Sequence, residues 1–106
     1  MASGPSMTTA PIPEQFQREM GCLAAELGAW LPRIAGERPL HLEDGGARIG
    51  LGGGHLRLDW QTLPPRRIAL LSLPRLDVRF RFEAVPADER GHFMQRFDLY
   101  TQRGGG

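Results

Sequence analysis

The chain has 106 residues, 41% of them hydrophobic and 24% charged, and its thirteen basic and twelve acidic residues leave a net charge of +1. That length and composition fit one ordinary globular domain with one core, and exclude a disordered or fibrous chain. A charge so near zero excludes the global field that steers proteins onto nucleic acid or acidic membranes, so any basic site has to be local.

Every basic residue is arginine, and Lys and Asn are absent. Codon usage in a GC-rich genome favours this choice, so part of the arginine excess is compositional. Cys22 stands alone and excludes an intramolecular disulfide; MASGPSMTTAPIP lacks both the basic and the apolar region of a secretory leader. No apolar run approaches the roughly 18–20 residues that span a bilayer. These features predict a cytoplasmic protein with no membrane contact.

Residues 1–12 are small and polar and are expected to form a flexible arm before a single α+β domain over 13–103. From Pro13, Phe16, Met20, Leu23, Leu27 and Trp30 recur at three- and four-residue spacings, which predicts an amphipathic helix over 14–30 closed by Pro32. Alternation then predicts strands at 39–43 and 47–51 around a Gly45-Gly46 turn, with Leu42 opposite Ile49. A four-residue loop at 52–55 leads to a third strand at 55–60 and aligns Glu43, Arg48 and Asp59 in a charged outer row.

After Leu63-Pro64-Pro65, two strands at 66–73 and 76–83 are expected around a Pro74-Arg75 turn. That register sets Leu70 opposite Arg79 and Ile68 opposite Arg81 on the outer face. Pro86, the acidic pair Asp88 and Glu89, and a stripe of Phe93, Met94, Phe97 and Tyr100 predict a last helix over 87–102, followed by a glycine tail at 104–106. The sum is a two-layer α+β fold, an antiparallel meander of about five strands with an N-terminal and a C-terminal helix on one face.

Little in the chain carries chemistry. GLGGGH at 50–55 precedes a strand pattern instead of the helix that a phosphate loop needs, so it reads as a turn. His41 and His55 fall on strands separated by a third, too far apart to share one metal ion. Cys22 has no histidine base at helical spacing, and Ser72, which should face Asp77, has no histidine between them. No catalytic residue, cofactor or metal is therefore assigned, and the chain reads as non-enzymatic.

The anomaly is strand 66–73, apolar on both faces. Ile68 and Leu70 would face outward beside Arg79 and Arg81, which Asp77 and Glu83 neutralise within their own strand. Aliphatic and guanidinium groups together fit a protein interface, so the leading expectation is self-association as a homodimer, or binding of another protein, through Ile68, Leu70, Asp77, Arg79, Arg81 and Glu83. The first alternative is a small-molecule site between helices and sheet, lined by Phe16, Met20, Trp30, Phe80, Phe93, Phe97 and Tyr100. The second is weak nucleic-acid binding by the arginine-bearing sheet face. It is disfavoured because Phe80 and Phe82 alternate onto the core side, away from any base.

Overall fold

The computed structural model describes residues 11–105. In chain order it contains β1 (Gln15–Met20), α1 (Ala24–Ala35), β2 (Leu40–Glu43), β3 (Gly46–Leu51), β4 (Gly54–Ile68), β5 (Leu71–Glu83) and α2 (Ala87–Gly105). The strands form one antiparallel five-stranded sheet of order β1-β5-β4-β3-β2. Both helices cover the same face, giving the expected two-layer α+β architecture. Phe93 and Phe97 of α2 pack edge-on against Phe82 and Phe80 respectively. Arg96 of α2 donates to the carbonyls of Ile34 (2.6 Å) and Arg33 (2.8 Å), closing the last turn of α1.

The predicted first helix is divided. Residues 15–20 are β1, and α1 begins only at Ala24, where Glu26 accepts a hydrogen bond from the Leu23 N–H at 2.8 Å. Phe16 and Met20, four residues apart, lie on one side of a helix and equally on one face of a strand. Arg18, also on that face, obscures the alternation. Its guanidinium lies 5.7 Å from the Phe16 and Phe80 ring centres and pairs with Asp98, so a charge is accommodated at the edge of the core. At the other end, α1 runs through Pro32 to Ala35. An internal proline costs about 3 kcal/mol. Burying Leu31 and Ile34 completely returns about 1.5–3 kcal/mol each.

Both short hairpins keep their predicted faces and lose their predicted register. The first turn is Asp44-Gly45, with Gly45 at φ 73°, and Leu42 lies opposite Ala47. The second loop is Gly52-Gly53, and Ile49 lies opposite Leu56. Each shift is of two residues, so Ala47, Ile49, Leu51, Leu56 and Leu58 still point into the core, where all are buried. The charged row changes members: Arg57 replaces Arg48, bonding both carboxylate oxygens of Glu43 at 3.1 Å and Asp59 Oδ1 at 2.9 Å. These bonds hold the Glu43 carboxyl below its ordinary pKa.

The largest correction concerns the last two strands. The predicted strand 66–73 is divided: 66–68 continue the predicted strand 55–60 as one β4, with a bulge between Leu63 and Arg66, the turn lies at Ala69-Leu70 instead of Pro74-Arg75, and 71–73 begin β5. Proline is tolerated at bulges and open edges, so Pro64-Pro65 bends the strand without ending it. The long register sets Leu76, Val78, Phe80 and Phe82 opposite Thr62, Trp60, Leu58 and Leu56. It thereby builds the apolar centre of the sheet, with larger partners than a short local hairpin would supply. At the ends, α2 extends past residue 102, and Ile12 packs on the core with its carbonyl accepting from Arg90 at 2.8 Å. The remainder of the predicted arm, residues 1–10, and the final glycine lie outside the described residues.

Candidate interaction surface

Beyond the body of the sheet, β4 and β5 continue alone. The β1–β5 ladder stops at Met20 opposite Leu76, and the β3–β4 ladder stops at Gly46 opposite Asp59. Among the described residues, 61–68 and 71–75 thus form a two-stranded ribbon with no neighbouring strand on either edge. We refer to it as the arm. Arg75 anchors its base, donating to both Glu19 carboxylate oxygens (2.9 and 3.0 Å) and to the Pro64 carbonyl (3.2 Å). The bond from Arg75 is the main cause that holds the Glu19 carboxyl below its ordinary pKa, while burial opposes it. Arg66 approaches the same carboxylate at 3.8 Å.

The arm is apolar where it is most exposed. On the outer face, away from the helices, Ile68, Leu71 and Leu73 are 51%, 61% and 41% exposed, and Leu70 at the tip is wholly exposed. Between Gln61 and Leu76 the only charges are Arg66, Arg67 and Arg75. On the helix side, the arm base and the start of α1 enclose a groove of about 430 Å³, bounded by Leu23, Glu26, Pro65, Ser72 and Pro74, with Cys22 at its floor. Burial, with a smaller contribution from Glu26, pushes the Cys22 thiol up to about 11. It is a packed thiol, not an activated nucleophile.

The tip is built on a strained turn. Ala69, the first central residue, has φ 54°, in the position where a two-residue turn with one left-handed residue favours glycine. Ala69→Gly is expected to stabilise the closed arm by about 1 kcal/mol. Slower amide exchange over residues 66–73 would show it, and unchanged or faster exchange would count against the strain.

The predicted interface residues do not form one patch. Arg79 and Asp77, and Arg81 and Glu83, pair within β5 at 3.7 Å, as expected from their spacing. Ile68, however, lies opposite Leu71, while Arg79 lies opposite Asp59 and Arg81 opposite Arg57. At about 3.3 Å per residue, roughly 26 Å of strand separates Leu71 from Arg79. The structure therefore divides the set into an apolar arm and a charged sheet face. Leu23 belongs to the groove on the helix side and was missed; so were Leu71 and Leu73, which belong with Ile68 and Leu70 on the arm. The two-sided hydrophobicity of 66–73 was their sequence signal, but it reads equally well as a strand covered on both sides.

The charged face alternates signs: Arg57, Arg79 and Arg81 sit among Glu43, Asp59, Asp77 and Glu83. Phe16, Trp60, Phe80 and Phe82 fall on the opposite face, so the described face offers neither a basic track nor a stacking platform. The proposed ligand-lining aromatics mostly fill the core. Phe80 stacks on Phe16 with ring centres 4.5 Å apart and meets Phe97 edge-on at 5.2 Å. Met20 and Trp30 border a different, open cavity beside Arg18 and Asp98, and Tyr100 lies under the Arg96 guanidinium. Ser72 faces Arg67, not Asp77. Among the described residues, no group of three His, Cys, Asp or Glu is placed to hold a metal ion.

Fold and surface together define a small α+β domain carrying a projecting, apolar β-ribbon arm. No family model matches the chain, and no curated protein matches it in sequence. Among the described residues, no helix is long and apolar enough to cross a membrane.

Proposed function

We propose that the chain is a non-enzymatic interaction domain that assembles with a protein, itself or another, through the outer side of β4 and β5, with the contact centred on the arm. One observation carries this reading: Ile68, Leu70, Leu71 and Leu73 are exposed on a ribbon that has no third strand among the described residues. An isolated two-stranded ribbon is marginally stable in water, and a covering surface stabilises it. Complete burial of an aliphatic side chain contributes about 1.5–3 kcal/mol, so the half-exposed Ile68 and Leu71 have roughly half of that still to gain.

The prolines suggest how the partner binds. Pro64, Pro65 and Pro74 carry no N–H, which blunts both edges of the arm against strand addition and favours contact through side chains. The buried, single Cys22 suits a reducing, cytoplasmic setting. Ile68→Lys combined with Leu70→Glu is expected to abolish self-association or partner capture while leaving the unfolding transition nearly unchanged, because both positions are exposed. Native mass spectrometry with and without the pair tests this. Unchanged mass and unchanged capture would sink the proposal.

A further inference from the structure

Resting on the interaction reading above, we infer that the arm's partner is a second copy of this chain, joined by mutual exchange: each arm tip enters the groove at the base of the other arm. The groove and the tip belong to the same ribbon. The groove lies on the helix-side face of the arm at its base, bounded by Pro65, Ser72 and Pro74 on one wall and by Leu23 and Glu26 on the other. The tip, Ala69-Leu70, lies two residues beyond Ser72 and four to five beyond Pro65 and Pro74, roughly 7–16 Å further out. A two-fold axis through the middle of two antiparallel arms, helix-side faces together, brings each tip to the other's base, between arm and α1, so that the outer face of the tip is turned to the partner's α1. Such an isologous contact is made twice.

The exchange gives partners to the unpartnered features of the tip. Leu70 enters the apolar groove. Ile68 and Leu71, on the outer face beside the tip, meet the exposed Leu23 on the far wall. The charges are complementary as well: with Arg66 and Arg75 both engaged by Glu19, the distal arm still carries Arg67 and no acid, whereas the groove carries Glu26. Among the described residues Arg67 has no carboxylate within 4.0 Å, and it shares the helix-side face with Ser72, directly opposite. Strand-edge pairing between copies would need the donors that the prolines remove. Packing in a groove does not.

The test is a pair of thiols, Leu23→Cys with Leu70→Cys in a Cys22→Ala background. A bond between the two positions of one chain would leave the mass of a monomer, whereas the exchange joins two chains. Mild oxidation is expected to give a covalent dimer in which mass spectrometry finds position 23 joined to position 70. Leu70→Glu alone, at a fully exposed site, is expected to convert a dimeric wild-type chain to monomer in native mass spectra, and this arm of the test does not depend on the thiol variants folding. A wild-type chain that stays monomeric at high concentration, or a dimer cross-linked only between two copies of position 70, overturns the exchange. If the chain is monomeric and Leu70→Glu still abolishes capture of another protein, the interaction reading stands while the exchange falls.

Discussion

Phe80→Ala is expected to cost about 3–5 kcal/mol of folding stability, most of the margin of a domain this size. Net stability runs at roughly 0.05–0.15 kcal/mol per residue, on the order of 5–15 kcal/mol in total. The Phe80 ring joins three elements: it stacks on Phe16 of β1 at 4.5 Å, meets Phe97 of α2 edge-on at 5.2 Å, and sits under the Arg18 guanidinium at 5.7 Å. Each aromatic pair is worth about 0.5–1.5 kcal/mol beyond its burial, and a fixed backbone on both sides prevents the gap from closing. Urea denaturation reads the loss directly. A cost below about 2 kcal/mol would indicate a ring lining open space, and would favour the ligand-site alternative over a packed core.

Gly54→Ala is the second large effect, with an expected cost of about 3 kcal/mol or more. Gly54 opens β4 where the β5–α2 connection crosses it. A Cβ there would run into the carbonyl oxygens of Glu83 and Ala84, far inside contact distance. Both obstacles are backbone, and Ala84 already sits at φ 57°, so neither moves cheaply. The neighbouring Gly53 is the control: a Cβ there meets nothing within 4 Å, and Gly53→Ala is expected to change stability by no more than about 0.5 kcal/mol. Thermal unfolding of the two variants side by side checks the contrast. Similar transitions would mean that the crossing is looser than the structure places it.

These two positions also separate stability from interaction. Substitutions at Phe80 and Gly54 act on the folded body, whereas substitutions at Ile68 and Leu70 act on an arm that the body does not cover. A variant of the first kind that loses partner binding has lost its fold. A variant of the second kind that loses binding with its unfolding transition intact has lost the contact itself.

The arginines show how one residue type serves different ends. Arg96 and Arg90 close backbone carbonyls, Arg18 caps an aromatic stack, Arg57 organises the outer sheet face, and Arg75 anchors the arm. Composition alone suggested a genomic bias. The structure gives each of these five guanidiniums a specific oxygen or ring.

By itself the sequence determined the α+β class, the antiparallel sheet, the closing helix and the face on which each β3, β4 or β5 core residue lies. It could do so because the strand period is two and survives a two-residue slip: Leu42 faces the helix layer whether it pairs with Ile49 or with Ala47. What depends on pairing partners was decided only in the tertiary structure. Phe16 and Met20 satisfy helix and strand alike, and the free edge of β5 selects the strand. Pro74-Arg75 is an acceptable local turn, but the apolar run Leu76 to Phe82 finds larger partners in Leu56 to Trp60 than in 69–73. That choice moves the hairpin end to Ala69-Leu70 and projects the arm past its neighbours. Two-sided hydrophobicity marks a strand as apolar, but whether anything covers it depends on where the adjacent strands stop, which is a property of the assembled sheet.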